Sequence, residues 1–117
     1  MSIFKNGNFI LASGKQSNWK IDCDDLTDED WETLALMASE ILPSFGSVEG
    51  VPTGGLKFAA ALSKYITKGP PLIAEDVVTT GASMERIRDS RIAIGVAVFS
   101  RGRPPAAWIY PIFEMDL

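Results

Sequence analysis

One order of parts occurs twice in this chain: an apolar strand, a turn of glycines and hydroxyls, and a short helix. The first copy is Gly46 to Val51, the turn Pro52, Thr53, Gly54 and Gly55, and a helical pattern through Leu56, Ala59, Ala60, Leu62 and Ile66. The second is Leu72 to Val78, the turn Thr79, Thr80, Gly81, Ala82 and Ser83, and a short helix from Met84 to Asp89. Ile92 to Phe99 is a continuous apolar run rich in β-branched residues, the pattern of a strand covered on both faces, and Trp108 to Phe113 supplies a last strand after the loop RGRPP. Strands that alternate with helices specify an α/β fold, here a short, mainly parallel sheet flanked by helices in three layers. Ligands of such sheets bind beyond the carboxyl ends of the strands, where both turns sit.

The amino end reads differently. Phe9 to Leu11 and Trp19 to Ile21 flank a polar stretch and predict an N-terminal hairpin over the ligand edge. Thr27 then caps a helix whose first turn carries Asp28, Glu29 and Asp30; Trp31, Leu34, Ala35, Ala38, Ile41 and Leu42 fall on its apolar face, and Pro43 ends it. At 117 residues, 46% of them hydrophobic, the chain is long enough for one self-supporting domain spanning 1–117. Its formal net charge of -4 argues against nucleic acid as a partner. The absence of histidine excludes an imidazole base and any Cys/His zinc cluster, and the single cysteine, Cys23, reads as an inert thiol. No apolar run approaches the ~18 residues of a membrane span, so a cytoplasmic protein with no membrane partner is expected.

Chemistry concentrates in PLIAEDVVTTGAS, Pro71 to Ser83. An apolar strand delivers adjacent carboxylates, Glu75 and Asp76, and then a turn of small and hydroxyl residues whose amides and side chains suit a phosphate dianion. Carboxylates would repel that phosphate unless they faced another part of the same ligand. A sugar reconciles the two: Glu75 and Asp76 accept hydrogen bonds from ribose hydroxyls or hold them through a magnesium shell, while the turn takes the 5′-phosphate. The alternative is plainer, with the acids ending a strand and TTGAS capping a helix.

EDVVTTGAS resembles the phosphoribosyl pyrophosphate signature of the type I phosphoribosyltransferases, closest to the orotate branch. FILASGKQSNWKID, Phe9 to Asp22, is similar to that branch's hood and base-binding stretch, which divides the domain into a hood at 1–24 and an α/β core at 25–117. GVPTGGLKFAAAL, Gly50 to Leu62, is similar to its pyrophosphate loop and following helix, and GVAVFSRG, Gly95 to Gly102, to a later strand, with Ser100 where the family has aspartate. The resemblance implies that Glu75 and Asp76 bind the ribose hydroxyls and Mg2+, the metal through water, and that Thr79, Thr80, Gly81, Ala82 and Ser83 bind the 5′-phosphate. Thr53, Gly54 and Gly55 would meet pyrophosphate through the backbone, and Lys15 and Arg101 would face the base. It further implies transfer of ribose 5-phosphate from phosphoribosyl pyrophosphate to a nucleobase, orotate in particular, with pyrophosphate release, in a homodimer.

The chain departs from that branch in one large respect. Where the family carries a further strand and a long basic loop that closes over the site, this sequence has only ITKGPP, with Lys64 and Lys68 nearby and Lys57 too far along its helix to be equivalent. An open site admits water, and hydrolysis then competes with transfer. Two functions follow: a compact phosphoribosyltransferase, and a non-catalytic module that binds phosphoribosyl pyrophosphate or a nucleotide in a regulatory or assembly role.

Overall fold

A computed structural model describes residues 3–11 and 14–115. Strand β1 (Phe4–Ile10) pairs antiparallel with β2 (Gln16–Ile21) to form the hairpin. There follow α1 (Asp28–Ile41), β3 (Ser47–Gly50), α2 (Leu56–Leu62), β4 (Pro71–Val78), α3 (Ala82–Arg88), β5 (Ile94–Arg101) and β6 (Ile109–Met115). The second sheet has the order β3-β4-β5-β6, and all its neighbours are parallel. Among the described residues no helix is long and apolar enough to cross a membrane.

Period-two alternation along the central strands divides the core into two layers. Leu72, Ala74, Val96 and Val98 pack with Trp31, Ala35 and Ala38 of α1 and with Phe58, Ala61 and Leu62 of α2. Ile73 and Ala97, one residue out of phase, pack instead with Met84 of α3, Val51 and Ile109. The helices therefore cover both faces of the sheet, as a strand apolar on both sides requires. The hairpin docks at the carboxyl end of β5. Phe4 meets Phe99 edge to face with centroids 6.3 Å apart, and Phe99 stacks on Phe113 at 5.5 Å.

Several boundaries differ from the sequence reading, and in β5, α3 and β1 the reason is local. Ile92 is 88% exposed and precedes β5, because Asp89, at φ 54, ends α3 and begins a turn and bend through Arg91. The strand is shifted towards its carboxyl end and includes Ser100 and Arg101. Helix α3 starts at Ala82 rather than Met84, since Gly81 at φ 80 makes the whole bend. Strand β1 begins at Phe4, hidden in the sequence by the polar residues Lys5, Asn6 and Asn8. Residues 12 and 13 of the hood stretch lie outside the described residues.

Candidate active site

The carboxyl ends of β3, β4 and β5 and the hairpin above them define the site. On β4, Asp76 follows Ala74 towards the α2 face and is half-buried. It lies against Gly54: a Cβ there would overlap its carboxylate. Gly55, immediately after, is pressed onto the Ala74 carbonyl and the Val51 backbone, so the turn after β3 can pass this close only as glycine. The acid pair and the first glycine turn, 20 or more positions apart in sequence by the residue numbers, are thus in contact.

Glu75 points to the other face and is 8% exposed. Its Oε1 accepts from the Asp76 N–H at 3.0 Å, and Asp76 Oδ1 accepts from the Val77 N–H at 2.7 Å. Burial, reinforced by the neighbouring Asp76 carboxyl, pushes Glu75 up to about 9. In the ligand-free chain Glu75 is therefore a neutral acid at pH 7, able to donate as well as accept a hydrogen bond. Cys23 is buried, and burial followed by the charge of Asp76 pushes its thiol up to about 12, which agrees with an inert cysteine.

Beyond β4 the turn Thr79 to Ser83 closes tightly. A Cβ at Gly81 would stand 2.8 Å from the Pro105 ring, and the Ala82 N–H donates to Thr80 Oγ1 at 3.3 Å. A cavity of about 100 Å³ opens here, lined by Glu75, Thr79, Thr80, Gly81, Ala82 and Ser83 among others. A second cavity of about 200 Å³ is lined by Leu11, Lys15, Gln16, Ser17, Thr79, Thr80 and Arg101. Thr79 and Thr80 belong to both, so the two cavities adjoin.

Lys15 and Arg101 thus come together in the second cavity. The guanidinium of Arg101 lies 3.5 Å from the centre of the Trp19 ring, and its Nη2 donates to Ser17 Oγ at 3.2 Å. Its Nη1 is buried and has no hydrogen-bond partner among the described residues. Ser100 is fully buried and donates to the Gly102 carbonyl at 2.8 Å, so the residue that stands in place of the family's aspartate shapes the chain's own turn. Thr53 is exposed, and its carbonyl accepts from the Leu56 N–H at 3.2 Å; the Thr53–Gly55 turn lines neither cavity and approaches the site only through Gly54.

Among the described residues no group of three or more His, Cys, Asp or Glu side chains could hold a metal by itself. The Asp76 carboxylate and the oxygens of a phosphorylated ligand would nevertheless suit Mg2+, which keeps several waters and takes few protein ligands, with Glu75 on the other face of β4 reaching it only through water. The sequence reading did not assign Ser17 to the site, because a serine in a polar loop carries no distinguishing signal. Arg86, on α3, also lines the first cavity, and its helical position gave no hint of that.

Neither a known family model nor a curated protein sequence matches the chain. Solved structures do. An orotate phosphoribosyltransferase from Aeropyrum pernix aligns over 96% of this chain and 88% of its own, with 20% identity and a TM-score of 0.77. The UMP synthase of Leishmania donovani aligns over 97% of this chain but only 34% of its own, with 21% identity and a TM-score of 0.77. The orotate phosphoribosyltransferase of Mycobacterium tuberculosis, solved in complex with Fe(III) dicitrate, aligns over 97% and 90% with 16% identity and a TM-score of 0.66. At such identities the likeness is one of architecture: parallel sheet, flanking helices and hairpin hood together make the type I phosphoribosyltransferase fold, of the kind seen in orotate phosphoribosyltransferases.

Proposed function

We propose that this chain transfers the ribose 5-phosphate of phosphoribosyl pyrophosphate to a ring nitrogen of a pyrimidine base, orotate foremost, and releases pyrophosphate. The observation that carries this reading is the meeting of two unlike cavities at Thr79 and Thr80. One is walled by an acid and a turn of hydroxyls and amides, the other by a guanidinium and a lysine. A sugar phosphate fits the first and an acidic planar ring the second, with the reacting anomeric carbon at their junction.

Each residue then has a physical task. Thr79, Thr80 and Ser83 donate hydroxyl hydrogen bonds to the 5′-phosphate, and the backbone of Gly81 and Ala82 lets it approach. Asp76 accepts from a ribose hydroxyl, while Glu75 donates its own proton to a ribose oxygen. Gly54 keeps the pyrophosphate turn against Asp76. Mg2+, held by Asp76 and Glu75 through water, would neutralise charge on departing pyrophosphate. As the glycosidic bond breaks, positive charge spreads over the ribose ring, as in glycoside chemistry. The Asp76 carboxylate, held by the Val77 N–H and set against Gly54, would stand ready to meet that charge.

Pyrophosphate release is measured with Mg2+, phosphoribosyl pyrophosphate and orotate. Base-dependent release is expected, and its abolition by Asp76→Asn with the fold retained. The second reading, a non-catalytic binding module, is favoured by the short Ile66–Pro70 connection, which supplies no long loop between α2 and β4 to close over the site. Tight binding of phosphoribosyl pyrophosphate with no turnover on any base would select it. We further propose a homodimer, by likeness of fold; monomer alone in light scattering at micromolar concentration would refute it.

A further inference from the structure

We propose that Trp19 and Ser17 are positioning residues that aim the Arg101 guanidinium at a carboxylate-bearing pyrimidine, so that the hairpin sets the preference for an acidic base. This rests on the function proposed above and concerns the base cavity only. An arginine at the end of a strand has many rotamers, and a fork that recognises a carboxylate must be fixed in both plane and rotation to be selective. Trp19 fixes the plane: the guanidinium is 3.5 Å from its ring centre. Ser17 fixes the rotation, by accepting from Nη2 at 3.2 Å.

The two hairpin residues act as one unit. Ser17 Oγ donates to the Trp19 carbonyl at 2.6 Å and accepts from the Trp19 N–H at 3.2 Å, so the hydroxyl that holds the guanidinium is itself held by β2. Arg101 lines the cavity with what remains of its fork, and its Nη1, out of solvent, has no hydrogen-bond partner among the described residues. The guest suited to that fixed guanidinium is an anion with a planar pair of acceptors, which a pyrimidine carboxylate provides and an unsubstituted ring does not. Lys15, in the same cavity but exposed, adds charge without direction. The indole face turned to Arg101 is taken by the guanidinium, so on that side Trp19 serves the base through the arginine.

Orotate and uracil are titrated calorimetrically into the full chain saturated with ribose 5-phosphate and Mg2+, which fills the sugar-phosphate site without a leaving group, for the wild type, Trp19→Leu, Trp19→Phe and Ser17→Ala. Trp19→Leu is expected to weaken orotate by about tenfold while leaving uracil and ribose 5-phosphate within about twofold, and Trp19→Phe to restore most of the loss. Ser17→Ala should weaken orotate in the same selective way. Orotate affinity indifferent to Trp19→Leu and Ser17→Ala, or an equal loss for both pyrimidines, overturns the inference and leaves the proposed function standing. A wild-type chain that binds ribose 5-phosphate but neither pyrimidine overturns both. Should Trp19→Leu fail to fold, Trp19→Phe and Ser17→Ala decide the matter alone.

Discussion

A carboxyl that is 8% exposed and beside a second carboxyl is disfavoured as an anion, and Glu75 is in that position, with its folded-state value pushed up to about 9. Below pH ~4.5 folded and unfolded chains both hold the proton, and the stabilisation is complete. As pH rises from there the unfolded chain releases a proton that the folded chain keeps. Stability therefore falls, by up to ~1.4 kcal/mol per pH unit, until Glu75 itself ionises near pH 9. Glu75→Gln removes that proton, so its urea-unfolding stability should vary less with pH and exceed the wild type by on the order of 1–3 kcal/mol at pH 8. Parallel pH profiles for the two proteins would show that Glu75 ionises normally. Gly54 makes a separate point at the same scale. Gly54→Ala drives a methyl into the Asp76 carboxylate; expected are a loss of about 1–3 kcal/mol in stability and at least a tenfold weaker affinity for phosphoribosyl pyrophosphate, read by calorimetry.

Among the helices, α1 shows how far local chemistry alone can specify an element. Thr27 Oγ1 accepts from the Asp30 N–H at 3.1 Å, and Asp30 Oδ2 accepts from the Thr27 N–H at 2.9 Å, a reciprocal pair that closes the first turn. Thr27→Ala should lower the unfolding free energy by about 1 kcal/mol and leave ligand binding unchanged. That cap, the buried positions Trp31, Ala35 and Ala38 and the stop at Pro43 were legible in the sequence, because each is a short-range signal, whereas Ile41, read onto the same apolar face, is 47% exposed in the last turn. The acid pair and its turn were legible for the same reason. Boundaries set by unusual backbone were not: no residue type announces that Asp89 takes φ 54 and delays β5 to Ile94. Nor could sequence show Ser17 on Arg101, since the two are 84 positions apart and meet only once the hairpin folds over the sheet.

The molecule as a whole assigns its two strand ends to different tasks, and this bears on the missing basic loop. The Thr67 N–H donates to the Phe45 carbonyl and the Gly46 N–H to the Pro70 carbonyl, both just before the strands begin. The Ile66–Pro70 connection therefore runs along the amino ends of β3 and β4, while both cavities open at the carboxyl ends. Lys64 is paired with Glu32 on α1, and Lys68 lies within the connection itself, so neither lysine stands at the carboxyl ends where the cavities open. On the proposed function, charge on departing pyrophosphate would be met at the other end, by magnesium and by groups around Asp76. Lys64→Ala and Lys68→Ala should each leave phosphoribosyl pyrophosphate affinity within about twofold of wild type. Chelation of magnesium by EDTA should weaken it by at least about tenfold, since the phosphate charge then faces the acid pair without a cation between them. A calorimetric titration with the reverse ranking, lysine-dependent and indifferent to EDTA, would mean that the short connection swings to the ligand edge in solution.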